Sequence, residues 1–161
     1  MTNKAEQFEG GCTCGAVRYR MESRPMFVHC CHCNWCRRET GSAFALNAMI
    51  EADRVTLQKG KPTLVKTPTN SGKGQNCFRC ARCEIALWST YAGAGDKVLF
   101  VRVGTLDEPQ VMPPDIHIFA ASKLPWVQIP HDTPSVEGYY NAHKFWPEDS
   151  LLRRANLNSD S

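Results

Sequence analysis

Apolar and polar residues alternate strictly over Val17-Arg18-Tyr19-Arg20-Met21, the period of a strand with one buried face. Pro25 marks a turn, and Met26-Phe27-Val28 reads as a second short strand running into a crowd of cysteines. Asn34 to Thr40 fits a brief helix ended at Gly41, and Phe44 to Ile50 is apolar and strand-like. Val55-Thr56-Leu57 and Thr63–Thr67 flank the turn signal Gly60-Lys61-Pro62, which predicts a hairpin. Asn70-Ser71-Gly72-Lys73-Gly74 is a loop, followed by Cys77, Cys80 and Cys83 and then the apolar Ile85-Ala86-Leu87-Trp88. Val98 to Val103 is the most continuous apolar run and predicts a central strand.

Beyond that strand the pattern breaks down. Six of the ten prolines (109, 113, 114, 125, 130 and 134) fall between Leu106 and Pro134, so this stretch is expected to wander over the surface without long helices. Residues 147–161 are polar and read as a frayed tail. No repeat or composition break divides the chain. It is therefore read as one mainly β domain over 1–161, of antiparallel sheets and short helices, with its core over about residues 8–135.

Composition narrows the class. A chain of 161 residues is long enough to bury a core, and 42% hydrophobic with 22% charged residues is ordinary for a globular protein. No stretch approaches the roughly 18 apolar residues of a membrane span, so no membrane association is expected. The opening residues lack the apolar run of a secretory signal, which predicts a cytoplasmic, reducing setting. In that setting nine cysteines, an odd number, read better as metal ligands than as disulfides. The formal charge of +3 hints at a nucleic-acid partner. Two zinc ions would add four charges and seven thiolates would remove seven, which cancels it. The basic residues also form no run or aromatic-interleaved stripe, so no nucleic-acid binding is expected.

The cysteines fall into Cys12-Thr13-Cys14, Cys31-His32-Cys33-Asn34-Trp35-Cys36 and Cys80-Ala81-Arg82-Cys83. Zinc favours four tetrahedral ligands, and closely spaced thiols in turns converge on one ion. Seven thiolates divide naturally into one closed four-ligand set and one three-ligand set with a position left for water or substrate. Cys31, Cys33 and Cys36 are contiguous and share an ion. The other set joins Cys12 and Cys14 to the later cluster, where Cys77-Phe78-Arg79-Cys80 has the same C-x-x-C spacing as Cys80–Cys83 and competes with it.

Taken together, Gly11-Cys12-Thr13-Cys14-Gly15-Ala16-Val17-Arg18-Tyr19, His29-Cys30-Cys31-His32-Cys33-Asn34-Trp35-Cys36 with Gly41 and Phe44, and Cys80-Ala81-Arg82-Cys83 form a recognisable order. Leu106-Asp107-Glu108-Pro109, Pro114-Asp115-Ile116-His117-Ile118 and Trp126 continue it. Over roughly residues 8 to 135 the chain resembles the glutathione-dependent formaldehyde-activating enzyme family, also called the CENP-V/GFA domain. The resemblance implies an Mss4-like, zinc-stabilised β fold. It assigns Cys12, Cys14, Cys80 and Cys83 to a structural zinc, and Cys31, Cys33 and Cys36 to a catalytic one. The activity implied is a carbon–sulfur lyase type, joining glutathione and formaldehyde into S-(hydroxymethyl)glutathione, with a small thiol such as glutathione as partner. Glu84 departs from the family pattern, standing where a Gly usually follows the C-x-x-C; the departure bears on the turn beyond Cys83 and leaves the ligands intact.

Soft sulfur exchanges into an open position on zinc and stays thiolate at neutral pH, so an open three-thiolate site suits thiol addition to an aldehyde. The competing reading is a closed second site, its fourth ligand drawn from Cys30, His29, His32 or Cys77, in a zinc-stabilised binding module without turnover. A redox role for Cys30/Cys31 or for Cys77, Cys80 and Cys83 is a third reading. Otherwise Cys30 and Cys77 are buried spare thiols, and His32 is a turn residue. His117 is a packed or surface histidine, with a pocket acid/base role as the alternative. Trp126 reads as core or pocket floor. Arg37, Arg38, Lys73, Arg79 and Arg82 are candidates to receive substrate carboxylates, or else solvated surface charges.

Overall fold

The structure is a computed structural model and describes residues 6–159. Three strands, β1 (Phe8–Gly11), β2 (Arg18–Met21) and β5 (Val55–Lys59), form a small sheet in the order β1-β2-β5. Seven more, β3 (Phe27–Cys31), β4 (Ala45–Glu51), β6 (Thr63–Thr67), β7 (Gln75–Arg79), β8 (Ala86–Tyr91), β9 (Val98–Arg102) and β10 (Ile116–Ile118), form a large sheet. Its order is β10-β3-β4-β9-β8-β7-β6. All its pairings are antiparallel except β10 with β3. The mainly β class read from the sequence is the one observed.

Alternate residues of a strand face opposite ways, and here both faces of the large sheet are covered at β3, β4 and β9. Val28, Ala48, Ile50, Leu99 and Val101 point into a core shared with Tyr19 and Met21 of the small sheet. Phe27, Cys31, Met49 and Phe100 point into a second core closed by Ile116, Ile118 and Trp146. Burial on both faces is why β9 reads as an unbroken apolar run, and it lies fourth of seven, where that run predicts it. The first helix, α1 (Asn34–Thr40), has the predicted bounds and ends at Gly41 with φ 62°, a left-handed cap that glycine takes without strain.

Several expectations fail. The hairpin over residues 55–67 does not form, because β5 pairs with β2 and β6 pairs with β7. The intervening turn at Gly60 packs on the Ala16 carbonyl so closely that a Cβ would sit 2.1 Å from it. The tail expected to fray over 147–161 contains a helix, α2 (Glu148–Ser159); of that tail, residues 160 and 161 lie outside the described residues. Ser150 is buried and donates to the Met26 carbonyl (2.7 Å), Leu151 and Leu157 pack on the second core, and Arg153 forks onto Glu51. The core therefore extends well past residue 135. Trp126 is 72% exposed, neither core nor pocket floor. Among the described residues no helix is long and apolar enough to cross a membrane.

Candidate metal centres and the adjoining cavity

The first cluster lies beside the core between the two sheets. Cys12 and Cys14 sit in the turn from β1 to β2, while Cys80 and Cys83 sit in the turn from β7 to β8. All four sulfurs lie within 4.8 Å of one another. Four thiolates around tetrahedral zinc stand about 3.8 Å apart. The Cys12–Cys14 and Cys14–Cys80 sulfurs are 3.6 and 3.7 Å apart, so this donor set fits the ion without rearrangement. Burial would raise the Cys12 thiol, but the Val17 N–H and the neighbouring sulfurs outweigh it and bring it down to about 6. Cys77 stays out of this group: its sulfur faces Glu39 at 3.6 Å, which resolves the C-x-x-C competition in favour of Cys80–Cys83. Glu84 holds a φ of 60° and donates its N–H to the Cys80 carbonyl (2.9 Å). The glutamate thus keeps the left-handed turn that glycine serves elsewhere.

The second cluster lies across the large sheet, where β3 ends and α1 begins. Cys31 is the last residue of β3, Cys33 caps α1 by accepting the Cys36 N–H (3.2 Å), and Cys36 stands in the first turn. Their sulfurs also lie within 4.8 Å of one another. Hydrogen bonds from Cys31 and Cys36 pull Cys33 down to about 2, contacts with the Cys33 and Cys36 sulfurs push Cys31 far up, and Cys36 reaches about 12. Three sulfurs this close cannot all be anionic without a cation among them, and zinc is the ion that this soft donor set fits.

None of the proposed fourth ligands joins that set. Cys30 points to the opposite face of β3 and groups with His32 and His117, whose rings stack with Nε2 and Nδ1 2.9 Å apart. Both histidines are buried, so His117 is a packed residue and His32 belongs to this pair. Burial holds His29 down at about 4, and it bonds the Tyr140 hydroxyl (2.5 Å).

The three sulfurs open onto a cavity of about 520 Å³. Its walls are largely apolar and aromatic: Trp35, Met49, Tyr91, Phe100, Phe119 and Tyr139. Gln75 also lines it, and its buried carbonyl oxygen has no hydrogen-bond partner among the described residues. Behind the wall, Arg102 lies within electrostatic range of Cys36 and bonds Asn47, Ser89 and Glu39. Glu39, on α1, also pairs with Arg79 (2.5 Å), so one buried carboxylate ties the cysteine-bearing helix to β7 and β9.

Residues 7–122 match the sequence profile of a family described as glutathione-dependent formaldehyde-activating enzyme. The chain belongs to this family. A Halomonas elongata protein that carries that name provisionally is 30% identical over 127 residues, covering 75% of this chain and 80% of its own. A Rhodobacter sphaeroides protein of known crystal structure is similar over 80% of this chain and 99% of its own, at 18% identity and a TM-score of 0.45.

Sequence reasoning located the sulfurs but not their surroundings. Of the cations expected to meet a substrate carboxylate, Arg79 is spent on Glu39 and Arg37 bonds Asn34 and the Ser122 carbonyl (3.2 Å). Arg38 and Arg82 do not line the cavity, and Lys73 lines a neighbouring groove. The cation on the cavity wall is Arg154, from the helix that the sequence did not reveal.

Proposed function

We propose that this family member is a zinc-dependent carbon–sulfur lyase-type enzyme that forms or cleaves a small thiol–aldehyde adduct, with S-(hydroxymethyl)glutathione from glutathione and formaldehyde as the reaction to test first. The observation that carries the reading is the three-cysteine cluster opening onto a cavity with no fourth protein ligand among the described residues. Cys31, Cys33 and Cys36 would hold the catalytic zinc, and Cys12, Cys14, Cys80 and Cys83 the structural one. Bound zinc would supply a Lewis-acidic position that keeps an incoming thiol as thiolate at neutral pH.

The chain's own residues do the rest. In the forward direction sulfur bonds to the aldehyde carbon, the carbonyl π pair moves to oxygen, and that oxygen takes up the proton lost by the thiol. No outside electrons are needed. The Cys36 N–H orients the Cys33 sulfur, and Arg102 offsets negative charge beside Cys36. The largely apolar walls would lower the local dielectric around a bound adduct. A cytoplasmic, reducing setting would keep these thiols free.

Two-dimensional exchange NMR on labelled formaldehyde with glutathione tests the reading. The zinc-loaded protein should raise the interconversion rate above the spontaneous one, and Cys36→Ser should return it to background. Exchange at the spontaneous rate with a fully metallated protein would remove this substrate pair and leave a non-catalytic binding module.

A further inference from the structure

The last turns of the chain add something the family match does not contain. The family profile ends at residue 122, yet Tyr139 and Arg154 both line the cavity over the Cys31 cluster. Arg154 sits on the inward stripe of α2, three residues from Leu151 and three from Leu157, both of which pack on the core. Its neighbour Arg153 is held by two bonds to Glu51, at 2.7 and 2.5 Å, and so pins the helix. Arg154 has no ion-pair partner among the described residues and is the one residue of the lining with a permanent charge.

Charge makes this placement matter. Zinc held by three thiolates carries a net negative charge, so a carboxylate brought near it is repelled unless a cation meets it. Cys31, Tyr139 and Arg154 line one cavity, and the Tyr139 hydroxyl lies within electrostatic range of both the Cys31 sulfur and the Arg154 guanidinium.

We propose that Arg154, with Tyr139 beside it, is an anion subsite that takes the carboxylate of a thiol whose sulfur sits at the Cys31–Cys33–Cys36 cluster. The inference rests on the thiol-binding reading above and adds to it a specificity determinant built by the C-terminal helix. The substrate class is then a small carboxylated thiol or its aldehyde adduct, and neutral thiols are poorer ligands.

The test uses the cobalt-substituted full-length protein and follows its sulfur-to-cobalt absorption during titration with 3-mercaptopropionate and with 2-mercaptoethanol. Each variant is compared with wild type on the same thiol, so differences in thiol acidity cancel. Arg154→Ala should weaken 3-mercaptopropionate about three- to tenfold and leave 2-mercaptoethanol within about twofold, the range expected of one partly exposed ion pair. Arg154→Lys should recover part of the loss. Arg154→Glu should reverse the preference, favouring cysteamine over 3-mercaptopropionate. Equal weakening of both thiols, or no change in either, overturns the subsite while leaving thiol binding intact. If no thiol alters the wild-type spectrum, the thiol-binding reading fails and the subsite with it.

Discussion

Cys12, Cys14, Cys80 and Cys83 come from two turns 66 residues apart and meet beside the core between the sheets, whereas Cys31, Cys33 and Cys36 come from six consecutive residues on the other face. The first group joins distant chain segments, so an ion there would remove loop entropy from the unfolded chain as a cross-link does. The second joins residues already held together by the end of β3 and the start of α1. An ion there would gain little for the fold and would be free to serve the proposed chemistry. The surroundings follow the same division. The four-cysteine group lies among loop backbone, while the three-cysteine group faces a cavity and has a buried arginine behind it.

The sharpest way to break this comparison is to remove one sulfur from each group. Cys80→Ser should cost at least about 4 kcal/mol, or the protein should fail to accumulate folded, because a closed metal site contributes folding free energy directly. Cys36→Ser should cost about 1 kcal/mol or less in the same denaturant titration while losing one equivalent of zinc. Equal destabilisation by the two substitutions would make both clusters structural and remove the distinction.

Glu39 tests what supports the second cluster. Its buried carboxylate faces both Arg79 and Arg102, so Glu39→Gln leaves the buried Arg102 guanidinium without its counter-charge. A loss of about 3 kcal/mol is expected, and the double variant with Arg102→Met should be less destabilised than the single effects added together. Strict additivity in that thermodynamic cycle would show that the network does not act as a unit.

The smallest effect is at the first cluster. Glu84 holds a positive φ beside Cys83, a conformation that costs a non-glycine residue about 1 kcal/mol. Glu84→Gly should therefore stabilise the protein by about 0.5 kcal/mol after the added chain entropy is counted. A measured loss of stability would mean that the glutamate side chain makes up for its backbone.

Which parts were legible in the sequence follows from how local their causes are. The bounds of α1 depend on Gly41 and on the spacing of Cys33 and Cys36, all within nine residues, and they were read correctly. β9 announced itself because both of its faces are buried. The strands β5 and β6 are largely exposed on both faces, so their periodicity names no partner. The Gly60 turn looked like a hairpin because its close approach to Ala16 is invisible in sequence. Helix α2 went unseen because its sequence is polar and its anchors, Glu51 and Met26, lie more than a hundred residues earlier. For the same reason the candidate site was half legible. The sulfurs sit in short motifs, but the aromatic and cationic walls are assembled from segments that only the fold brings together.

The late position of α2 also sets an order of events during synthesis. The residues carrying all seven candidate ligand sulfurs, and the strands that hold them, emerge before residue 119. At about 5–20 residues per second, residues 123–159 follow only after a further few seconds. On the proposed reading, the nascent chain would load metal while its cavity still lacks Tyr139 and Arg154. The proposed selection among ligands would begin later, when α2 docks and Arg153 closes on Glu51.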